Sequence, residues 1–298
     1  MMNLTKSVSG FVFTIAIATL SLSHAATITW SGLGDGINWL DGGNWDSGLP
    51  SSSDIVDLDG ATVQVNGTGA TYATGLSGSG GTININSGGV LTQVGSDASA
   101  LRRFTQVNIN NGGTLTADPS VNIRASLTVF TGGTLEGTAR MRGSIEFNID
   151  GTFRPGDNSV PLAYNINEGA DLIFGSNAIS ELDIFGNGLN DSFLLNEGSN
   201  TIGSTLNLST GVIQLTPQGY TPAVGHSFDL WDVTNTNSSI TAGTGINIIL
   251  PGFNLDLTSW ASDGIVTIAS AASVPEPSTY ASILGLFSFA ILWIRRRR

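Results

Sequence analysis

Glu181 and Asp183 stand two residues apart in SELDIF, a run whose apolar and polar residues alternate. On an extended strand both carboxylates share one face, about 6.6 to 7 Å apart. Paired carboxylates at such a separation are the equipment of glycoside hydrolysis, one acting as acid and the other as base or nucleophile. Acids alternating with Leu182 and Ile184 are equally the pattern of a solvated strand face, and no catalytic residue is assigned here.

Two further sets carry enough oxygen to hold calcium: Asp54, Asp57 and Asp59, and Asp35, Asp41 and Asp46 with Asn38 and Asn44. Neither has the ligand spacing of an EF-hand or of a calcium-binding glycine-rich nonapeptide. Asp-Gly and Gly-Asn pairs are turn formers in their own right. No metal site and no cofactor are expected, calcium being the one ion these sets would suit. Once a leader is removed, His226 is the sole histidine; Ser227, Asp229 and Asp232 lie nearby without a nucleophile elbow.

The balance of charge narrows the function further. Residues 26–274 hold six arginines, no lysine and 22 acids, a net charge of −16. So acidic a body repels a phosphate backbone, which excludes nucleic acid as a partner. The missing lysine removes Schiff-base and P-loop chemistry, and the absence of cysteine removes disulfides, thiolate catalysis and sulfur-based metal sites.

The elements that would position such groups read as strands. TININ at 82–86, QVNIN at 106–110, SLTVF at 126–130 and SIEFNI at 144–149 each alternate apolar with polar side chains and run into a glycine turn. The turn with its following strand recurs around Gly89, Gly113, Gly133, Gly151 and Gly169, at spacings of 24, 20, 18 and 18 residues. A β-period near 20 predicts a solenoid, because one coil cannot bury its apolar face without a neighbour. Asn at equivalent positions can then ladder its amides along the stack. The expected fold is all-β, a right-handed parallel β-helix with terminal caps; the alternative is a β-sandwich with repetitive turns. Residues 26–60, with Trp30, Trp39 and Trp45, read as the N-terminal cap, 61–179 as the repeats, and 180–270 as a C-terminal β region that closes the stack.

The two ends carry the strongest signals. Lys6, an apolar run over 11–22 and the small residues of Ser23-His24-Ala25 read as a signal peptide over 1–25, cut between Ala25 and Ala26. At the other end, 280–294 is an uncharged apolar segment of about 22 Å as a helix, a marginal span of a hydrocarbon core of about 30 Å. It ends at Trp293 and then Arg295, Arg296, Arg297 and Arg298, which the positive-inside rule keeps cytoplasmic. Val274-Pro275-Glu276-Pro277 precedes it, a segment whose prolines withhold amide donors and leave the backbone extended and open to a protease.

This order of Pro-Glu-Pro, short apolar helix and arginine cluster resembles the PEP-CTERM sorting domain, here over 271–298. The resemblance implies that an integral-membrane exosortase recognises and cuts near the motif, so that the precursor sits in the inner membrane by a transient C-terminal anchor before release towards the cell surface or matrix. The order of Trp, Gly, Asn, Pro and Asp residues in 30–60 also resembles the start of autotransporter-like members of that group. The function expected is a structural or adhesive surface protein, with signal peptidase and exosortase as processing partners and extracellular polysaccharide as the partner outside. A secreted lyase or glycosidase-like β-helix enzyme is the alternative.

Overall fold

The computed structural model describes residues 26–72, 80–94, 106–117, 122–156, 159–196, 202–234 and 236–272. Among these, helix is confined to a 3-10 turn at Gly42–Asn44 and a single helical turn at Trp260–Asp263, so the protein is nearly all-β.

Most strands belong to one large parallel sheet whose hydrogen-bonded path runs through 13 strands. A first column stacks Thr62–Val65, Thr82–Ile85, Gln106–Ile109, Ser126–Val129, Glu146–Ile149 and Asp171–Phe174. A second stacks Ala70–Tyr72, Val90–Gln93, Thr114–Ala117, Thr134–Gly137, Thr152–Pro155 and Ile179–Gly186. The long strand Thr205–Pro217 joins the columns, pairing at 205–207 with the first and at 212–217 with the second. Ser239–Ile249 adds one more layer on it. A third column, a separate parallel sheet, stacks Asn122–Ile123, Arg140–Arg142, Ala163–Asn167, Ser192–Asn196 and Trp231–Val233. Parallel order throughout these columns is not the pairing of an antiparallel β-sandwich.

Successive strands of the first column begin 20, 24, 20, 20, 25, 34 and 34 residues apart. The ladder therefore runs through residue 180 without a break; the steps lengthen because the chain inserts material before the third column. Part of it, Ser227–Asp229, pairs antiparallel with Ile265–Ala271, which also pairs with Phe253–Asp256.

Alternation sets the core. Val63, Ile83, Val107, Leu127, Phe147 and Leu172 stack in register, all fully buried, and the outward residues beside them are polar up to Asn148, with Ile173 following it. Small β-branched side chains give way to rings further along: Phe153 meets Tyr164 edge-on at 4.8 Å and stacks with Phe193 at 6.0 Å. At the start of the stack Trp45 lies 4.9 Å from both Trp30 and Trp39, and Trp39 packs on Tyr72 of the first layer at 5.8 Å.

The paired glycines have two separate tasks. Gly88, Gly112 and Gly132 take left-handed φ of +76°, +74° and +81°, which the turn demands and other residues resist. Gly89, Gly113 and Gly133 follow, and a Cβ on any of them would fall on the carbonyl oxygen of Val65, Ile85 or Ile109 in the layer below. The amides of Thr114, Thr134, Thr152, Ile179 and Val212 donate in turn to the carbonyls of Gly89, Gly113, Gly133, Gly151 and Ala178. Ala178 is thus the next member of this corner after Gly151. Gly169 is not: its turn joins Ala163–Asn167 to Asp171–Phe174, at the corner between third and first columns. The 18-residue step from Gly151 to Gly169 links two different corners, a coincidence that spacing alone cannot reveal.

Candidate functional site

Parallel register places outward side chains of one layer directly over those of the next, so the outer faces are rows of equivalent residues. On the first column the row runs Gln64, Asn84, Asn108, Thr128, Asn148. Asn108 Nδ2 donates to Asn84 Oδ1 at 2.8 Å. At the adjoining corner Asn110 Nδ2 donates to Asn86 Oδ1, and Asn86 Nδ2 to Asn66 Oδ1, both at 2.8 Å. Gln106 Nε2 reaches Thr128 Oγ1 at 3.1 Å. Asn86 and Asn108 each donate to one neighbour and accept from another, so the row satisfies part of its polarity internally and its members carry no charge.

The second column bears an outer row in which opposite charges meet. It reads Thr92, Thr116, Glu136, Arg154, Glu181. Thr116 Oγ1 donates to Glu136 Oε1 at 2.9 Å, Arg154 Nη1 to Glu136 Oε2 at 3.3 Å, and Arg154 Nε to Glu181 Oε2 at 2.7 Å. The hydrogen bond that Arg154 donates to Glu181, with both carboxylate charges, raises the Arg154 pKa. One guanidinium thus engages both carboxylates.

The structure also separates Glu181 from Asp183. Glu181 faces Arg154, whereas Asp183 is buried, accepts Gln218 Nε2 at 2.8 Å, and gives its own amide to Asp191 Oδ2 at 3.1 Å. The buried Asp191 takes the Leu162 amide through its other oxygen at 2.9 Å. These carboxylates fix the insertion after the second column to the sheet, a structural use.

Asp35, Asp41, Asp46, Asp54 and Asp57 of the N-terminal segment accept backbone amides. Asp35 Oδ1 receives the amides of Ile37 and Asn38 and the side-chain amide of Asn44, and those bonds lower its pKa. Asp41 receives Gly43 and Asp35, Asp46 receives Thr29, Asp54 receives Ser51, and Asp57 receives Asp59. Among the described residues no three His, Asp or Glu side chains group as a metal site.

His226 is engaged as well. Its Nδ1 accepts the Ala223 amide at 3.2 Å and meets the Tyr220 hydroxyl, and the two rings stack at 5.6 Å. Ser227 turns instead to the Thr267 hydroxyl at 2.8 Å, so histidine and serine form no catalytic pair. Asp229 has a raised pKa, from burial first and Asp232 second.

A cluster that sequence reasoning missed lies at the corner between third and first columns. Arg124 Nη2 donates to Glu168 Oε2 at 3.1 Å, and Arg142 Nη2 bonds Glu168 Oε1. Glu168 is only 5% exposed and has a left-handed φ of +57°. Register brings the three together: Ile123 pairs with Met141 and Met141 with Ile166, although Arg124 and Glu168 are 44 residues apart. The available signal was the unusual concentration of arginine in an acidic chain, but no spacing rule tied it to Glu168.

No family model and no curated protein matches the chain. The processing motif Val274 to Pro277, the membrane-stop residues Trp293 and Arg295 to Arg298, and the 280–294 helix lie outside the described residues. So does Ala25 of the signal-peptide junction, while Ala26 is the first described residue. Among the described residues no helix is long and apolar enough to cross a membrane.

Proposed function

We propose that the chain is an exported cell-surface or extracellular-matrix protein of structural or adhesive role, with a body wound as a right-handed parallel β-helix. Three parallel columns visited in rotation support the winding, and its hand follows from the right-handedness of about 98% of parallel crossovers. The observation that carries the role is the outer surface: amides that bond each other from layer to layer, and a Glu136–Arg154–Glu181 row in which one guanidinium ties the two carboxylates together. A face that completes its own hydrogen bonds is suited to a rigid spacer or to broad contact with hydrated polysaccharide. It is poorly suited to activating one bond.

Export and sorting rest on the sequence of the ends. Signal peptidase removes 1–25, the 280–294 segment holds the precursor in the inner membrane, and an exosortase acts at Val274-Pro275-Glu276-Pro277. Fractionating cells with and without the exosortase tests this: the body moves to the surface or medium in the first and stays in the membrane in the second. Equal distribution in both strains overturns it.

One observation favours a second reading, a carbohydrate-active enzyme: two carboxylates and an arginine do share the second-column face. Release of reducing ends from acidic polysaccharides by the purified chain, abolished by Arg154→Ala, supports that reading over the first.

A further inference from the structure

The two ends of the large sheet are finished differently. At the first layer the N-terminal segment closes the outer edge of Thr62–Val65: the Gln64 amide donates to Ile37 O and the Trp39 amide to Gln64 O, both at 2.8 Å. At the last layer, Ser239–Ile249 pairs on one side with Thr205–Pro217, and among the described residues no backbone hydrogen bond reaches its other side. Alternate residues of a strand turn N–H and C=O to each side, so this 11-residue strand presents a row of unfilled donors and acceptors.

Edges that stay single are blunted by lysine, proline or inward charge. This one lacks all three, although a register shift interrupts it between Ala242 and Gly245 and the turn Trp260–Asp263 lies beside it: SITAGTGINII contains neither charge nor proline, and 233–255 has no Asp, Glu, Lys or Arg at all. Ile240 and Ala242 remain only half-buried against the end of the core. In a body of net charge −16 over 26–274, this is a stretch along which two copies approach without bringing carboxylates together.

We propose that Ser239–Ile249 is a self-association edge, along which two copies of the chain pair antiparallel about a two-fold axis. A strand meeting its own copy antiparallel is self-complementary, since each residue's partner finds the same residue types in return. The contact continues both sheets across the axis and covers Ile240 and Ala242. At the opposite end Ile37 and Trp39 close Thr62–Val65, and the other first-layer strand, Ala70–Tyr72, has only 3 residues, too short an edge to carry growth, so assembly stops at the dimer.

The test uses the full-length chain purified in neutral detergent. Sedimentation reads a dimer for the wild type and a monomer for T241K/N247K, whose two lysines stand on exposed positions of the edge. Far-ultraviolet circular dichroism is unchanged between them. In parallel, because the chain has no cysteine, single cysteines at Thr241, Gly245, Asn247 or Ile249 report on proximity without background. Oxidation gives a disulfide dimer at a position near the axis, and none from a cysteine placed at Thr92 on the second-column face. A wild type that is monomeric at every concentration, a dimer that persists in the lysine variant, or cysteines that cross-link no better at the edge than at Thr92 overturns the proposal.

Discussion

Asn110 hands its side-chain amide to Asn86 across 2.8 Å, one layer to the next, and Asn86 repeats the gesture to Asn66. The two Asn86 bonds join residues 20 and 24 positions away in sequence. They depend on parallel register and on nothing local. Asn86→Ala removes both, together with the longer Asn86 Nδ2 bond to Gln64 Oε1 at 3.3 Å, at a net cost of about 1 kcal/mol per bond. Urea denaturation of the variant is expected to show a lower midpoint with an unchanged slope, since the surface exposed on unfolding stays the same.

Gly113 tests the corner. An added methyl would meet the carbonyl oxygen of Ile85, backbone on backbone, with no flexible end to yield. Gly113→Ala should cost about 1–3 kcal/mol, as overpacking does. Gly42→Ala, whose new methyl finds only Leu49 Cγ at 3.8 Å, should leave stability unchanged or slightly raised. Thermal unfolding of the two variants side by side reads the difference.

Glu168 sits where two guanidiniums converge, and removing its charge leaves both arginines, about four-fifths buried, facing a neutral amide. Glu168→Gln should destabilise by about 3 kcal/mol, the cost of breaking a largely buried pair. Arg154→Met on the more exposed second-column row should cost no more than about 1 kcal/mol. A larger loss from Arg154 than from Glu168, measured by denaturant titration, would reverse this ranking.

Much of this was legible beforehand. The alternation of TININ and QVNIN gave strands facing the core with Ile and the solvent with Asn, because period-2 patterning and burial are one constraint. The glycine spacing near 20 gave the stacking. Neither could show that Gly169 belongs to a different corner from Gly151, since a period carries no information about which turn of a coil it marks. Nor could the sequence pair Glu168 with Arg124 and Arg142, because long-range register is decided by the layers between. Beyond residue 180 the 34-residue steps hid the repeat, although Leu206 and Leu208 still alternate inward.

Acid sensitivity follows from Asp150, held below the usual carboxylate range by the Asn177 side chain and amide and by Thr131. A carboxylate whose pKa is depressed on folding contributes stability above its unfolded value of 3.8, and that contribution is lost as pH falls through the folded value. Asp229 has the opposite sign, so its charge opposes folding at neutral pH. Melting temperatures recorded from pH 3 to pH 7, roughly the span in which carboxylates titrate, should show Asp150→Asn losing stability at the neutral end and converging on the wild type in acid. Asp229→Asn should gain at the neutral end and likewise converge in acid.

The central claim, an exported body delivered by a tail that is cut, is tested most directly by the mass of the mature protein. Intact-mass and terminal-peptide measurements on material from the cell surface or medium of a strain with its exosortase should give an N-terminus at Ala26 and a C-terminus near Val274-Pro275-Glu276-Pro277, without Arg295 to Arg298. An unbroken chain from Met1 to Arg298, recovered whether or not the exosortase is present, contradicts it.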